Sequence, residues 1–138
     1  MPLQSLLDDF ALFEDWEDRY RYIIDLGGRL APLTPDEYRD DLKVAGCVSQ
    51  AWLVSAYDGK TLTFRGDSDA HIVRGLIAIL IDLFSGQTPQ DILAVDAEAA
   101  FTALGLGDHL TPQRSNGFYA MIARVRNDAA AACADCNP

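Results

Sequence analysis

Positive charge is scarce in this chain. Lysine and arginine number 11 against 21 aspartates and glutamates, a formal net charge of −10 at pH 7. Nucleic-acid binding needs clustered Lys and Arg on phosphate, so no such partner is expected. An anionic membrane surface is disfavoured for the same reason. A partner with a basic face is allowed, because charge would steer the encounter. The acid also serves solubility alone. Long apolar runs are missing too. The longest, "GLIAILIDLF", is too short to cross a bilayer and carries Asp82. The N-terminus "MPLQSLLDDFALFEDWEDR" has no basic segment ahead of an apolar one, so no secretory signal is read and a cytoplasmic protein is expected. Histidine occurs 2 times and cysteine 3 times. An odd count cannot pair fully within one chain, and in a reducing compartment these cysteines read as thiols.

What is present is ordinary for a globular protein: 138 residues, 49% hydrophobic and 23% charged. One domain spanning 1–138 is expected, with the alanine-rich tail fraying from about residue 128. "QSLLDDFALF" reads as a short amphipathic helix, and "DWEDRYRYIIDLG" as a second with Trp16, Tyr20, Ile23 and Ile24 at helical spacing. Gly27 and Gly28 are expected to stop it as C-cap glycines. In "LTPDEYRDD", Thr34, Pro35 and Glu37 carry a capping-box signature. "SQAWLVSAY" then alternates, with Trp52, Val54 and Ala56 on one face, read as the inward one. "DG" at Asp58 and Gly59 signals a hairpin, and "KTLTFRG" is the return strand. Lys43 and Val44 add a short third strand. Ser68 or Asp67 caps the helix "DAHIVRGLIAILIDLFSG", which places Asp69 in a first turn where the helix dipole favours acid. Three helices follow: "TPQDIL", "DAEAAFTALGL" closed by Gly105, and a last one opened by Thr111 and Pro112. Helices, a hairpin sheet of about three strands, then helices make an α+β fold.

Cys47 lies in the loop entering that sheet, beside Gly46. Glycine lets another molecule approach the backbone closely. The thiolate is the reactive species, so neighbouring cations matter, and Lys43 and Arg114 are the candidates. The competing reading is a buried cysteine that fills space. A Cys–His hydrolase would need His71 or His109 to fold back onto Cys47, and no hydrolase signature surrounds the cysteine. "CADC", Cys133 to Cys136, has a spacing shared by zinc and redox sites, but zinc needs two further ligands, and a frayed tail is the simpler reading.

Several segments together resemble one family. "VAGCVSQAWL" is similar to the G-C-x-S-x-V/A-W segment of the SufE family, sulfur acceptors of iron–sulfur cluster assembly. "WEDRYRYIIDLGGRL" resembles its early helix, "GDSDAHIVRGLIAIL" its G-x-S-D-A-x-I-V-K/R-G-L segment, "TPQDIL" its T/S-P-x-D/E-I element, and "HLTPQRSNGFYAMI" its H-L-T/S-P-x-R-x-x-G-L-x-A-M segment. The match runs from about Leu6 to Arg126. Val48 stands where a polar residue is common, and the tail cysteines lie outside the pattern.

The resemblance implies a fold like that of the IscU-type scaffolds. It implies that Cys47 takes a sulfane sulfur from a PLP-dependent cysteine desulfurase of the SufS or CsdA type, stimulates that enzyme, and passes the sulfur to a SufB-containing scaffold. The chain would then need no cofactor of its own and would not itself be an enzyme. Arg114 would lie close to the cysteine loop, formed by Gly46, Val48, Ser49, Gln50 and Trp52. Lys43, Asp67 and Asp69 would belong to the partner surface. An apolar pocket lined by Val48, Leu53, Phe118 and Met121 would shelter the sulfur. A monomer or weak dimer is expected. The competing class is a metal-binding IscU-type scaffold, which uses several ligand cysteines where this chain offers Cys47 and a tail pair.

Overall fold

The computed structural model describes residues 2–44 and 49–133. Helices α1 (Pro2–Ala11) and α2 (Trp16–Gly27) precede a hairpin of β1 (Ala51–Tyr57) and β2 (Leu62–Ser68). Helices α3 (His71–Phe84), α4 (Pro89–Ala94), α5 (Ala97–Ala103) and α6 (Pro112–Ala132) complete an α+β fold. Asp15 opens α2 by accepting the Asp18 N–H at 2.9 Å. Arg19 then reaches back to the Phe10 and Phe13 carbonyls, at 3.1 and 3.0 Å, and ties off the end of α1.

Helix α3 is the centre of the core. It is apolar on almost every side and is buried accordingly, with Ile77, Ile79, Leu80 and Phe84 inaccessible to solvent. Its closest neighbour is α2. A Cβ built on Gly75 would lie 2.1 Å from the Ile23 carbonyl oxygen, and one built on Gly27 would lie 2.6 Å from the Gly75 nitrogen. Helix α2 ends at Gly27 with Gly28 as its C-cap, as expected, but the contact gives Gly27 a second role. Gly28 has φ −68°, in the right-handed region, and Gly27 is buried in the last turn of α2. Gly27 is glycine because two helix backbones touch there.

The hairpin corrects the inward face. Ala51 and Leu53 are buried, whereas Trp52 and Val54 are half-buried on the outer face. Strand β2 decides this. Leu62, Phe64, Gly66 and Ser68 alternate with Thr63, Arg65 and Asp67, and a charged face cannot be the core face. Directly paired residues share a face, and Leu53 pairs Gly66 while Trp52 pairs Asp67. The turn holds residues 58–61 rather than two residues, because the Asp58 carboxylate accepts the Lys60 and Thr61 amides, both at 2.8 Å, and widens it. The sheet has two strands among the described residues, not three. Lys43 contributes only an isolated bridge to Trp52, beside the Val44 N–H to Ala51 carbonyl bond of 2.8 Å.

Two further expectations shift. The Thr34–Pro35–Glu37 signature produces a single 3₁₀ turn, Pro35–Glu37, followed by another at Asp40–Leu42. Glu37 bonds the Thr34 N–H at 2.9 Å, but its two oxygens also take the Arg65 guanidinium, one of them at 2.8 Å. That pair holds the segment flat against the sheet, and it lowers the Glu37 carboxyl from 4.5 to about 2. The tail expected to fray from about residue 128 is helical through Ala132, with Ala129 buried.

Candidate functional site

Three parts of the chain surround a cavity of about 180 Å³. Val73 and Leu76 line it from α3, and Gln113, Arg114, Gly117, Phe118 and Met121 from α6, together with the cap Thr111; Ser49 lines it from the segment ahead of β1. The start of α6 sets this geometry. The Thr111 hydroxyl accepts the Arg114 N–H at 3.3 Å, and Pro112 takes a position that needs no amide donor. Arg114 therefore falls in the first turn. Gly117, Phe118 and Met121 follow three, four and seven residues on, one face of the helix.

The segment leading to Ser49 is anchored on both sides of residues 45–48. On one side Val44 bonds Ala51, as above. On the other, Gln50 is clamped by the turn before α3. Its N–H donates to the Asp69 carboxylate at 3.1 Å, and its carbonyl accepts the Asp69 N–H at 3.2 Å and the Ser68 hydroxyl at 2.6 Å. Asp69 thus lies two residues ahead of α3 rather than in its first turn, and its carboxylate serves the loop. Asp67 accepts the Tyr38 hydroxyl and pairs with Arg74 at 3.0 Å. The bond from Tyr38 to Asp67 raises the Tyr38 pKa. Neither Asp67 nor Ser68 caps α3 itself, whose N-cap position is Ala70; the Ser68 hydroxyl takes the Ala70 N–H at 3.2 Å.

Cys47, Gly46 and Val48 lie outside the described residues, as does Cys136. Ser49 is two peptide links from Cys47, a span of at most about 7 Å for any chain. Of the other expected site residues, the structure brings Ser49, Arg114, Phe118 and Met121 to one cavity. Gln50 is held next to it. Trp52 packs its edge on Tyr38 on the outer sheet face, with ring centroids 5.0 Å apart, and is not in the lining. Leu53 is in the core at 1% exposure, also away from the lining. Lys43 follows the second 3₁₀ turn and is half-exposed. The histidines are elsewhere. His109 stacks on Trp16 with centroids 3.9 Å apart, and His71 is exposed at the start of α3. Among the described residues, no group of three or more His, Cys, Asp or Glu could hold a metal ion.

One feature of the lining is electrostatic. Arg114 is its only charged member among the described residues, and its Nη1 is buried with no hydrogen-bond partner among them. Around it the walls are mostly apolar. Val73, Leu76, Thr111, Gln113 and Gly117 are not singled out by the sequence as pocket residues. Gly117 carries a signal, its spacing from Arg114. Val73 and Leu76 read as core residues, and only the packing of α3 against α6 shows that they border open space.

The chain and its arrangement of a hairpin sheet with surrounding helices have counterparts among known proteins. The family model described as SufE, an Fe-S metabolism associated domain, matches residues 4–129. An uncharacterized SufE-like protein of Rhizobium etli is 46% identical over 131 residues, covering 92% of this chain and 88% of its own. Another, from Rhizobium meliloti, is 46% identical over 131 residues, covering 92% and 94%. A solution structure of a hypothetical protein from Thermus thermophilus superposes with a TM-score of 0.78 at 19% identity, covering 96% of each chain, which supports the fold. The chain belongs to the SufE family, whose domain is associated with iron–sulfur metabolism. Among the described residues, no helix is long and apolar enough to cross a membrane.

Proposed function

We propose that this chain is a sulfur carrier. Cys47 accepts a sulfane sulfur from a PLP-dependent cysteine desulfurase of the SufS or CsdA type and hands it on, with a SufB-containing scaffold as the receiver. The step is thiol exchange. The Cys47 thiolate attacks the outer sulfur of the donor's persulfide, the donor's S–S bond breaks, and the donor cysteine leaves as its thiolate. No metal and no triad are needed, and the PLP that forms the donor persulfide belongs to the partner. Draining the donor persulfide frees the desulfurase for its next turnover, which is how the carrier stimulates it.

The observation that carries this reading is the cavity next to the cysteine segment. Its Phe118, Met121, Val73 and Leu76 walls suit a sulfur atom. Its one cation, Arg114, favours a thiolate over a thiol. The clamp at Gln50 and the bond at Val44 fix where the cysteine loop starts and ends. A persulfide is easily reduced or oxidised, so a sheltered site between two partners is what a carrier needs. Lys43, half-exposed, is the cation closest in sequence to the cysteine and is proposed to meet the desulfurase. Asp67 and Asp69 shape that same face through Tyr38, Arg74 and Gln50.

The test is desulfurase turnover with free cysteine as substrate, with and without this chain. Addition of the chain is expected to raise turnover several-fold, and Cys47→Ser to abolish the gain. Equal stimulation by Cys47→Ser would contradict the reading. Changing His71 and His109 together should leave the stimulation intact, which separates a carrier from a cysteine hydrolase.

A further inference from the structure

A second cavity, of about 280 Å³, lies along the outer edge of β2. Its described lining residues fall in 26–31, 64–66 and 78–82, at the end of α2, in β2 and in the second half of α3. None of them lines the cavity at α6. The strand edge here is incomplete. The Asp58 N–H bonds the Thr61 carbonyl at 3.3 Å, which marks a hydrogen-bonded pair. Bonded and non-bonded pairs alternate from there, so Leu62, Phe64 and Gly66 turn their backbone groups away from β1. The Leu62 N–H finds the Gln87 carbonyl at 2.9 Å, and the Phe64 N–H finds the Ser85 hydroxyl at 2.9 Å. The Phe64 carbonyl and both backbone groups of Gly66 have no partner among the described residues, although Gly66 is buried. Buried backbone groups are nearly always paired, so this edge has capacity to spare.

The side chains around the edge are of three kinds. Leu26, Leu30, Ala78 and Ile81 make an apolar floor. Arg65 is already held by Glu37. Arg29 and Asp82 remain, opposite in charge, and neither side chain has an ion pair or hydrogen bond among the described residues. Burial alone raises the Asp82 carboxyl, with no cation or donor to offset the water it loses. We infer that this cavity binds a free α-amino acid with an aliphatic side chain, of the size of leucine. The carboxylate takes Arg29 and the Gly66 N–H, the ammonium takes Asp82 and the open carbonyls of the edge, and the side chain lies on Leu26, Leu30 and Ile81. The cavity has the volume of about nine water molecules at ~30 Å³ each, which suits a ligand of about nine heavy atoms. A simple amine or a simple carboxylate leaves one of the two charges unanswered. An added strand finds little to pair with, because Gln87 and Ser85 already close the edge as far as the Phe64 N–H. The inference does not depend on the carrier reading.

The experiment titrates the isotope-labelled full chain and follows the Gly66 amide and Ile81 methyl resonances. L-leucine is expected to shift both, with half-saturation near about 1 mM, the scale for a ligand of this size. Three analogues each lack one part: isocaproate the ammonium, isoamylamine the carboxylate, glycine the side chain. Each is expected to bind at least about 5-fold more weakly, the scale of one lost polar or apolar contact. Asp82→Asn is expected to shrink the advantage of leucine over isocaproate at least about 3-fold, and Arg29→Gln its advantage over isoamylamine by as much. Both side chains are accessible to solvent, and each readout is a ratio within one protein, so lost stability does not imitate the result. No shift at about 20 mM leucine, far above that half-saturation, overturns the inference. So does equal binding of any analogue to the parent chain, or a ratio that either variant leaves unchanged. A capped tripeptide with leucine at its centre that shifts Gly66 where free leucine does not assigns the edge to an added strand, and overturns it as well.

Discussion

Helix α3 meets two of its helical neighbours, α2 and α6, in opposite ways. Against α2 there is no room for a methyl group, since Gly75 and Gly27 bring the backbones into contact with Ile23 and Arg74. Against α6 there is a cavity, bordered by Val73 and Leu76 on one side and Gly117, Phe118 and Met121 on the other. Glycine occurs on both sides of the helix but does different work. At Gly75 it removes volume so that helices can close. At Gly117 it is part of the cavity wall. Dense packing holds the fold, and unfilled volume gives up dispersion contacts that the rest of the core must supply.

The comparison can be broken most severely on the closed side. Gly75→Ala should cost about 3 kcal/mol or more, because the added carbon meets backbone and not a movable side chain. Urea unfolding would measure it, and a loss below ~1 kcal/mol would show that the crossing is looser than described. On the open side, Met121→Ala should cost about 2 kcal/mol, the low end for a buried methionine, since its side chain already borders free volume. The same urea series measures it, and a loss above about 4 kcal/mol would show that the side chain borders no free volume.

The smallest effect sharpens the account of the 34–43 segment. Arg65 and the Thr34 amide lower the Glu37 pKa from 4.5 to about 2. A depressed carboxylate contributes stability that is present above pH 4.5 and is lost as pH falls toward 2. The parent chain should therefore lose more stability over that window than Glu37→Gln, measured by acid-dependent urea midpoints. At neutral pH in high salt the difference should shrink, because the pair is partly exposed.

Much of this molecule is legible in its sequence. The caps at Thr88, Asp96 and Thr111 and the left-handed Gly105 mark helix boundaries by local chemistry, which needs no tertiary context. Arg114, Phe118 and Met121 are legible because one family-like segment carries all three and helical spacing puts them on one face. What fails is decided at a distance. Alternation in β1 marks the period but not the face, which the charges of β2 settle through Arg65 and Asp67. Gly27 ends its helix as its sequence suggests, but its contact with Gly75, more than forty residues away, carries no local mark. Asp69 looks like a helix-dipole residue because its partner, the Gln50 amide, is on another strand entrance. The cavity itself is partly legible. Its α6 side follows from spacing, whereas Val73 and Leu76 carry no local mark distinguishing a wall from a core.

The central claim is that Cys47 receives the sulfur. The measurement is intact-protein mass after mixing the chain with a SufS-type desulfurase and free cysteine, with Cys47→Ser and a Cys133→Ser/Cys136→Ser variant beside it. The account predicts a gain of one sulfur, reversed by reductant, that requires Cys47 and survives loss of the tail cysteines. No gain on the parent chain, or a gain that persists in Cys47→Ser, would contradict it.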